Sequence, residues 1–207
     1  MTTLPHSPAA DRNRQPILTA LLGILPPHGT ALEIASGTGQ HVVAFAAALK
    51  GWVWQPTERD AEMLPVIRAR VAESGLANVR PPLLLDVAAS RWPQQGEPFS
   101  QPFFDAIFCA NMLHIAPWGA CAGLVQGAGR HLAPDGVLIT YGPYFEHDVP
   151  TAPSNLAFDE SLRARNPAWG IRQLEAVAEE ARRAGLVLAQ RVEMPANNLL
   201  LVFRRDR

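Results

Sequence analysis

Apolar runs of strand length alternate along the chain with segments of helical spacing. The strand-like runs are largely apolar rather than alternating, as expected for strands covered on both faces. They occupy residues 30–35, 52–55, 79–85, 104–109 and 137–141. The segments with helical spacing occupy residues 15–25, 40–49, 58–74 and 117–132. This alternation predicts a parallel sheet with helices on both faces.

The C-terminal third departs from this alternation. A helix predicted over residues 174–184 is followed by strands over 186–192 and 199–203. The connection between these strands is too short for a parallel crossover, so they are predicted to pair antiparallel. The segment 142–170 is too long for a simple connection and is predicted to form a lid-like insertion.

Prolines and glycines set the predicted boundaries. The helix over 58–74 should end at Gly75, and Pro65 either kinks it or marks a later start. Pro81 and Pro82 delay the strand over 79–85 or place it at the sheet edge. Residues 87–102, rich in Pro, Gln and Ser, are predicted to be a loop. Residues 1–13 are predicted to be a flexible N-terminal arm, with 14–207 as a single domain.

Composition narrows the class of protein. The hydrophobic and charged fractions, 48% and 18%, exclude wholesale disorder, and no apolar run approaches the roughly 20 residues of a membrane span. A formal charge of -1 disfavours a nucleic-acid partner. Cys109, Cys121 and His114 lack a metal-ligand spacing, so no metal is expected. Few cysteines and a start without the apolar core of a signal peptide predict a cytoplasmic protein.

The strongest chemical signal is the segment EIASGTGQH, residues 33–41, between the first strand and the second helix. Its two glycines allow close approach to a ligand and positive φ angles. A P-loop would need Lys where Gln40 stands, and a dinucleotide site would need a small residue where Val42 stands. A nucleoside cofactor without a phosphate chain, S-adenosylmethionine, fits better, with Glu33 near its ammonium group. A purely structural turn is the remaining alternative.

Polar residues also follow the other predicted strands at the same edge of the sheet. Thr57 and Glu58 follow the second strand, where a carboxylate can bind ribose hydroxyls, although Glu58 also suits a helix N-terminus. Asp86 ends the third strand, Asn111 follows the fourth and Tyr141 ends the fifth. Because ligands of open α/β sheets bind at the carboxyl ends of the strands, this set predicts a ligand site.

The signature Glu33-x-x-x-Gly37-x-Gly39, with acids at Glu58 and Asp86, resembles the class I S-adenosylmethionine-dependent methyltransferases. Longer segments are similar to one group within them, the methyltransferase-like protein 26 family (domain of unknown function 938). Glu58 departs from this family, whose members commonly carry Asp there. The matching segments are SGTGQH (36–41), WQPT (54–57), NMLHIAPW (111–118), YGPY (141–144), SNLAFDESLRARNPAWGIR (154–172) and MPANNLLLVFR (194–204).

The resemblance implies a Rossmann-like α/β fold. Its sheet would have seven mostly parallel strands with an antiparallel last strand, and helices on both faces. The implied cofactor is S-adenosyl-L-methionine, with S-adenosyl-L-homocysteine as its product. The candidate cofactor-binding residues are Glu33, Ala35, Ser36, Gly37, Thr38, Gly39, Gln40, His41, Thr57, Glu58, Asp86, Val87, Asn111 and Met112.

Methyl transfer from a sulfonium requires a base only when the nucleophile arrives protonated. His114 and Tyr141 are the candidate catalytic residues, and a packed or capping histidine is the alternative for His114. Arg163 is a candidate to bind a substrate carboxylate, with an ion pair to Asp159 at i, i+4 as its alternative. The candidate substrate-binding residues are His114, Trp118, Tyr141, Tyr144, Asn155, Arg163, Trp169, Asn197 and Asn198.

The function predicted from the sequence is methyl transfer to a small-molecule acceptor, with segment 142–170 closing over it. The alternative is a cofactor-binding scaffold or regulator without turnover. A nucleic-acid methyltransferase is disfavoured, because Asn111-Met-Leu-His114 stands where a tetrapeptide such as N-P-P-Y would indicate methylation of a base. No membrane partner is expected, and the sequence does not indicate an oligomeric state.

Overall fold

The computed structural model describes residues 4–94 and 98–206. Its α-helices are α1 (Pro8–Ile24), α2 (Gln40–Ala48), α3 (Met63–Ser74), α4 (Trp118–His131), α5 (Pro153–Arg165) and α6 (Leu174–Arg183). Its strands are β1 (Gly29–Ile34), β2 (Trp52–Glu58), β3 (Leu83–Leu84), β4 (Phe104–Ala110), β5 (Leu132–Gly142), β6 (Tyr144–Phe145), β7 (Arg172–Gln173), β8 (Leu186–Met194) and β9 (Asn198–Arg205). A 3-10 turn spans Leu113–Ile115.

The main sheet has seven strands in the order β3-β2-β1-β4-β5-β9-β8. Strands β1 to β5 pair in parallel, whereas β9 is antiparallel to both β5 and β8. This arrangement confirms the predicted sheet with its antiparallel last strand. The chain reverses direction across the sheet between β1 and β4, and ligands of such sheets bind at the carboxyl edge beside this switch point.

Both faces of the sheet are covered, which explains why the central strands are mostly apolar. On one face Leu32 and Ile34 of β1 pack in a cluster with α4 and α6. On the other face Ala31 of the same strand packs in a cluster with α1 and α2. Alternate residues of one strand therefore enter opposite cores, as the two-residue period of a strand requires.

The N-terminal segment corrects the prediction of a flexible arm. Helix α1 begins at Pro8, so residues 8–13 are helical, while residues 1–3 lie outside the described part. The Ser7 hydroxyl accepts a hydrogen bond from the Ala10 N–H at 3.3 Å, and Pro8 suits the first helical turn. The Ser7 N–H donates to Oε1 of Gln40 at 2.6 Å. A cap and a distant partner thus order a stretch whose polar composition suggested a loop.

Other boundaries follow the prolines and glycines. Helix α3 begins at Met63, which confirms the later start indicated by Pro65, and ends at Gly75 with φ 66°. Strand β3 contains only two residues and lies at the sheet edge, after Pro81 and Pro82. The described part of the predicted loop 87–102 contains neither helix nor strand, and residues 95–97 lie outside it.

Segment 142–170 contains structure of its own. It includes β6, which pairs in parallel with β7 in a separate two-stranded sheet, and the thirteen-residue helix α5. Its role as a lid remains a prediction. Across residues 4–94 and 98–206, no helix combines the length and the apolar character needed to cross a bilayer.

Two glycines of α4 provide a matched test of how closely this helix approaches the backbone after β3. A Cβ at Gly123 would overlap the backbone carbonyl oxygen of Val87, whereas a Cβ at Gly119 would meet no atom within 4 Å. We expect Gly123→Ala to lower the free energy of unfolding by about 1–3 kcal/mol, because backbone must shift to admit the methyl group. Gly119→Ala should leave it unchanged or raise it by up to about 1 kcal/mol. Equal values in urea titrations would contradict the close approach of α4 to Val87.

Candidate functional site

A cleft of about 1440 Å³ opens over the carboxyl edge of the sheet. The residues that follow β1 to β5 line it, and α1, α5 and the turn between β8 and β9 close it from the sides. Pockets for one small ligand typically measure roughly 300–1,000 Å³. The cleft therefore has room for two ligands of modest size side by side.

The turn after β1, residues 35–39, forms the floor of the cleft. Ala35, Gly37 and Gly39 have φ angles of 55°, 55° and 76°, in the left-handed region that favours glycine. The Gly39 N–H donates to the Ser36 carbonyl at 2.8 Å. Gly39 also passes close to α3, since a Cβ there would lie 3.4 Å from Cα of Ile67. The turn is thus a compact loop whose backbone faces open space at Gly37.

Hydrogen bonds join this turn to the end of β2. The Ser36 N–H donates to the Thr57 carbonyl at 2.9 Å, and the Thr57 N–H donates to Oγ of Ser36 at 3.2 Å. The buried hydroxyl of Thr57 donates to the Glu33 carbonyl at 2.7 Å. Thr57 therefore does not line the cleft, its hydroxyl is used within the fold, and its contact with a ligand remains a prediction.

Glu58 faces the cleft and also ties the turn to β2. Its Oε2 accepts a hydrogen bond from the Gly37 N–H at 2.9 Å. Its Oε1 accepts from the N–H groups of Arg59 and Asp60 at 2.8 and 3.2 Å. These bonds hold the carboxylate in one orientation beside the glycine turn. The extra methylene of Glu, compared with Asp, lets the carboxylate of β2 reach the backbone of the neighbouring loop.

Glu33 is a buried carboxyl group directly beneath the turn. Only 2% of its surface is exposed, and its Oε2 has no hydrogen-bond partner among the described residues. Burial raises the pKa of Glu33 to about 8; a hydrogen bond from Ser36 lowers it and the nearby charge of Glu58 raises it. At neutral pH the group is mostly protonated, and a cation near it would restore its charge.

Gln40 and Arg70 hold the N-terminal segment against the glycine turn. Oε1 of Gln40 accepts from the Thr38 hydroxyl at 2.7 Å, and its Nε2 donates to Asp11 at 2.8 Å. Nε of Arg70 donates to the Thr38 carbonyl at 2.7 Å, and its Nη2 donates to the Pro5 carbonyl at 2.5 Å. The start of α1 thereby becomes one wall of the cleft.

A second polar group connects α1 to the far side of the cleft. Nε2 of His41 lies 2.7 Å from Oδ1 of Asn13, and the Asn13 side chain also acts on the hydroxyl of Tyr141, whose pKa is raised by burial and lowered by Asn13. Burial, and then the charge of Arg14, lowers the pKa of His41 to about 4, so its ring is neutral. Because the Asn13 oxygen only accepts, the neutral His41 donates to it. Burial raises the pKa of Tyr141, which keeps its hydroxyl protonated at neutral pH.

His114 lies on the 3-10 turn after β4 and faces the cleft. Its ring packs beside Gly142, where a Cβ would lie 3.4 Å from Nδ1, and meets the ring of Phe158 at 5.5 Å. Burial, followed by the charges of Arg172 and Arg165, lowers the pKa of His114 to about 4. Among the described residues, none hydrogen-bonds with its ring nitrogens. His114 is therefore a neutral imidazole without a hydrogen-bond partner in the described structure, and its lowered pKa makes it a weak base until an anion binds nearby.

Arg172 fixes the backbone that carries His114. Its Nε donates to the Leu113 carbonyl at 3.0 Å, and its Nη2 donates to the carbonyls of Ala116 and Ala168. The Gly170 N–H donates to the His114 carbonyl at 3.0 Å. The guanidinium group also lies over the ring of Trp118, 5.9 Å from its centroid. The segment before β7 thus supports the 3-10 turn.

Most of the predicted site residues do meet at this cleft. From the cofactor set the lining residues are Ala35, Ser36, Gly37, Thr38, Gln40, His41, Glu58, Asp86, Val87, Asn111 and Met112. From the substrate and catalytic sets they are His114, Tyr141, Asn155, Asn197 and Asn198. Glu33, Gly39 and Thr57 lie behind the lining. The roles of all these residues remain predictions.

Four predicted substrate contacts do not line the cleft. Tyr144 is buried in the core beside α4 and α6 and donates to the Thr140 hydroxyl at 2.8 Å. Arg163 pairs with Asp159 at 2.7 Å, so the alternative stated for it is the one observed. Trp118 and Trp169 stack with the guanidinium groups of Arg172 and Arg165. These aromatic and charged side chains find partners within the protein.

Sequence reasoning missed Asn13, Phe158 and Arg165, which all line the cleft. Asn13 lay in the segment predicted to be flexible, where no pattern indicated its two partners. Phe158 and Arg165 lie seven residues apart on α5 and thus on one face of the helix. That spacing was the available signal. In the described ranges, no three His, Cys, Asp or Glu side chains group closely enough to hold a metal ion.

Solved structures with similar folds are methyltransferases. The mitomycin 7-O-methyltransferase MmcR has a TM-score of 0.78 and 18% identity over 96% of this chain and 54% of that chain. CalO1, a methyltransferase in calicheamicin biosynthesis in its SAH-bound form, has a TM-score of 0.77 and 15% identity over 96% and 54%. An O-methyltransferase family protein from Burkholderia thailandensis has a TM-score of 0.77 and 17% identity over 96% and 57%.

These likenesses show that the chain has the fold of the class I S-adenosylmethionine-dependent methyltransferases. The chain spans about half the length of these three proteins. A family model described as a protein of unknown function (DUF938) matches residues 4–205, and the chain belongs to that family. Its assignment to methyltransferase-like protein 26 remains a prediction from the sequence.

Proposed function

We propose that this protein is an S-adenosylmethionine-dependent methyltransferase that acts on a small-molecule acceptor. The observation that carries the proposal is the glycine turn at the floor of a two-ligand cleft, with Glu33 beneath it and Glu58 beside it. A turn that served structure alone would not need a buried carboxyl oxygen without a partner, because such an oxygen costs free energy.

The residues around the turn fit this cofactor. Glu33 supplies a buried acid for the ammonium group, directly or through water, and Glu58 supplies a fixed carboxylate for ribose hydroxyls. Asp86 and Val87, after β3, line the side where an adenine would lie. Bound there, S-adenosylmethionine supplies an electrophilic methyl group on a sulfonium. The backbone at Gly37 faces open space, and Gln40 stands where a phosphate-binding loop would carry lysine. Both features suit a ligand without a phosphate chain.

The other half of the cleft contains groups suited to an acceptor. His114, neutral and without a hydrogen-bond partner in the described structure, is the group placed to accept the proton of a protonated nucleophile, and an anionic ligand beside it would raise its lowered pKa toward the range that a base needs. Tyr141, oriented by Asn13, offers a hydroxyl to the same region. Helix α5 lines this half, and the predicted closure of segment 142–170 over the acceptor would exclude water, which favours displacement at the methyl group.

The similar structures support a small-molecule acceptor. They include the mitomycin 7-O-methyltransferase MmcR, the methyltransferase CalO1 of calicheamicin biosynthesis and an O-methyltransferase family 2 protein from Planctomyces limnophilus in complex with apigenin. Structures named CalO1 and PigF contain SAH. At 15–18% identity these proteins share the fold, and the acceptor of the present chain is a separate question.

Calorimetry tests the cofactor and the role of Glu33 together. At pH 7 we expect S-adenosylmethionine and S-adenosylhomocysteine to bind with release of up to about one proton, because the ammonium group draws the pKa of Glu33 down from about 8. Glu33→Gln, which resembles the protonated acid, should bind more weakly and release none. The released proton is measured by titration in buffers of different ionisation enthalpy. Absence of binding by both compounds to the wild-type protein would refute the proposed function.

Gly37→Val tests the placement of the cofactor at the turn. Gly37 and Gly75 both have φ angles in the left-handed region, and a Cβ at either meets nothing within 4 Å. Both Val variants should therefore suffer similar backbone strain, of about 1–2 kcal/mol. Only Gly37 lines the cleft, so only Gly37→Val should weaken binding of S-adenosylhomocysteine, by at least about tenfold. Equal affinities in the two folded variants would place the cofactor elsewhere.

His114→Ala tests the proposed base. We expect methylation of a protonated nucleophile to slow by about 10²–10⁴-fold, while affinity for S-adenosylhomocysteine changes little. His147→Ala is the matched control, because His147 is exposed and lies outside the cleft lining. Single-turnover rates and calorimetry separate the two effects. A parallel loss of rate and cofactor affinity would assign His114 to the cofactor half instead.

A further inference from the structure

The carboxylates that line the cleft all lie on one side of it, together with Arg59. The carboxylates come from the strands on one side of β1: Glu58 and Asp60 from the end of β2, and Asp86 from the end of β3. On the other side the described lining residues come from the ends of β4 and β5, from α5 and from the turn between β8 and β9. They include no carboxylate, and their one charged side chain is Arg165.

Helix α5 directs one face toward this second half. Ser154, Asn155, Phe158 and Arg165 all line the cleft, and their spacing of four and seven residues places Phe158 and Arg165 on a common face. The N-terminal end of the helix is anchored, because Nδ2 of Asn155 donates to the Asn197 carbonyl at 3.0 Å. Arg165 stands at the other end of the same face.

Arg165 has no acidic partner among the described residues. Its Nε donates to the Ser161 carbonyl at 3.3 Å, and its guanidinium lies over the ring of Trp169, 5.5 Å from the centroid. Stacking on a ring holds the planar group in place while leaving its outer N–H donors free. Arg163, two residues earlier, is instead occupied by Asp159 at 2.7 Å and does not line the cleft.

Two arginines also act electrostatically on the imidazole of His114, which lines this half of the cleft. Both Arg172 and Arg165 act on His114, which remains neutral. The Arg172 guanidinium is bound to backbone carbonyls, which leave its charge in place. A negatively charged ligand would be favoured beside these two cations, whereas a cationic ligand would be repelled.

The remaining walls of this half are apolar. Phe158 is 38% exposed and Ile115 is 44% exposed, although both line the cleft. Met112 and Pro143 extend the same surface. The Phe158 ring stands edge-on to the His114 ring. Both rings offer an apolar surface against which a flat ligand could pack. Exposed aromatic and aliphatic groups at a cleft mouth favour a ligand that covers them.

We propose that the acceptor is an aromatic acid, whose ring packs against Phe158 and Ile115 and whose carboxylate is bound by the free guanidinium N–H groups of Arg165. This assignment names the substrate class of the methyltransferase site and rests on the proposed function. Arginine suits this role, because its planar fork matches a carboxylate with two parallel hydrogen bonds. Arg163, the arginine first indicated by the sequence, is replaced in this role by Arg165.

The test compares aromatic acids with their uncharged amides. Benzoate, 2-naphthoate and indole-3-carboxylate, each beside its own carboxamide, are measured with the full chain at pH 7.5 by ligand-observed saturation-transfer NMR. Titrations are run with and without S-adenosylhomocysteine. For at least one pair we expect the acid to bind about tenfold more tightly than the amide, as a charge-assisted hydrogen bond predicts.

Three variants locate the preference for the acid. Arg165→Gln should remove it, whereas Arg163→Gln, a change of the same kind on the same helix, should retain it. Arg12→Gln is the second control: Arg12 also lines the cleft, but from α1, and this variant should likewise retain the preference for the acid. The proposal is overturned if no acid binds better than its amide to the wild-type protein, or if the preference survives Arg165→Gln. Acid binding without any binding of S-adenosylhomocysteine would refute the methyltransferase function while retaining the anion site.

Discussion

The hydrogen bonds between the end of β2 and the turn after β1 are the constraint on which the site depends. Ser36 and Thr57 exchange backbone and side-chain bonds at 2.9 and 3.2 Å, and Glu58 accepts from the Gly37 N–H at 2.9 Å. They hold a left-handed turn open at the sheet's switch point, where the cleft begins. Without them, the carboxylate of Glu58 and the backbone of Gly37 would have no common orientation toward a ligand.

The cleft also depends on buried groups that remain uncharged. Glu33 is largely protonated at neutral pH, and both His41 and His114 are neutral, since burial is the largest influence on each pKa. The charges that surround Glu33 and His114 have opposite signs. Glu33 lies near the Glu58 carboxylate, whereas His114 lies near the guanidinium groups of Arg172 and Arg165. A cation is therefore favoured beside Glu33, and an anion is favoured beside His114.

The sequence predicted what local pattern determines. The glycine turn, the order of strands and helices and the antiparallel C-terminal pair follow from spacing, glycine chemistry and the length of a connection. The errors involve contacts between distant segments. Tyr144 follows Tyr141 closely, yet the two rings enter clusters on opposite faces of the sheet. Arg163 and Arg165 differ only in which side of α5 they occupy, and few apolar residues on that helix reveal its inner face. The partners of Asn13 are equally remote in sequence.

Hydrogen bonds tie α5 to the C-terminal ribbon, the antiparallel pair of β8 and β9, whose tip is the turn over residues 195–197. Asn197 joins Ser154 at 3.2 Å and Asn155 at 3.0 Å, so the tip of the ribbon and the helix over the second half of the cleft form one mechanical unit. This unit is distant in sequence from the segments that build the glycine turn. A substitution at the tip of this ribbon therefore acts on α5 and on the second half of the cleft without touching the turn after β1, which other segments of the chain build.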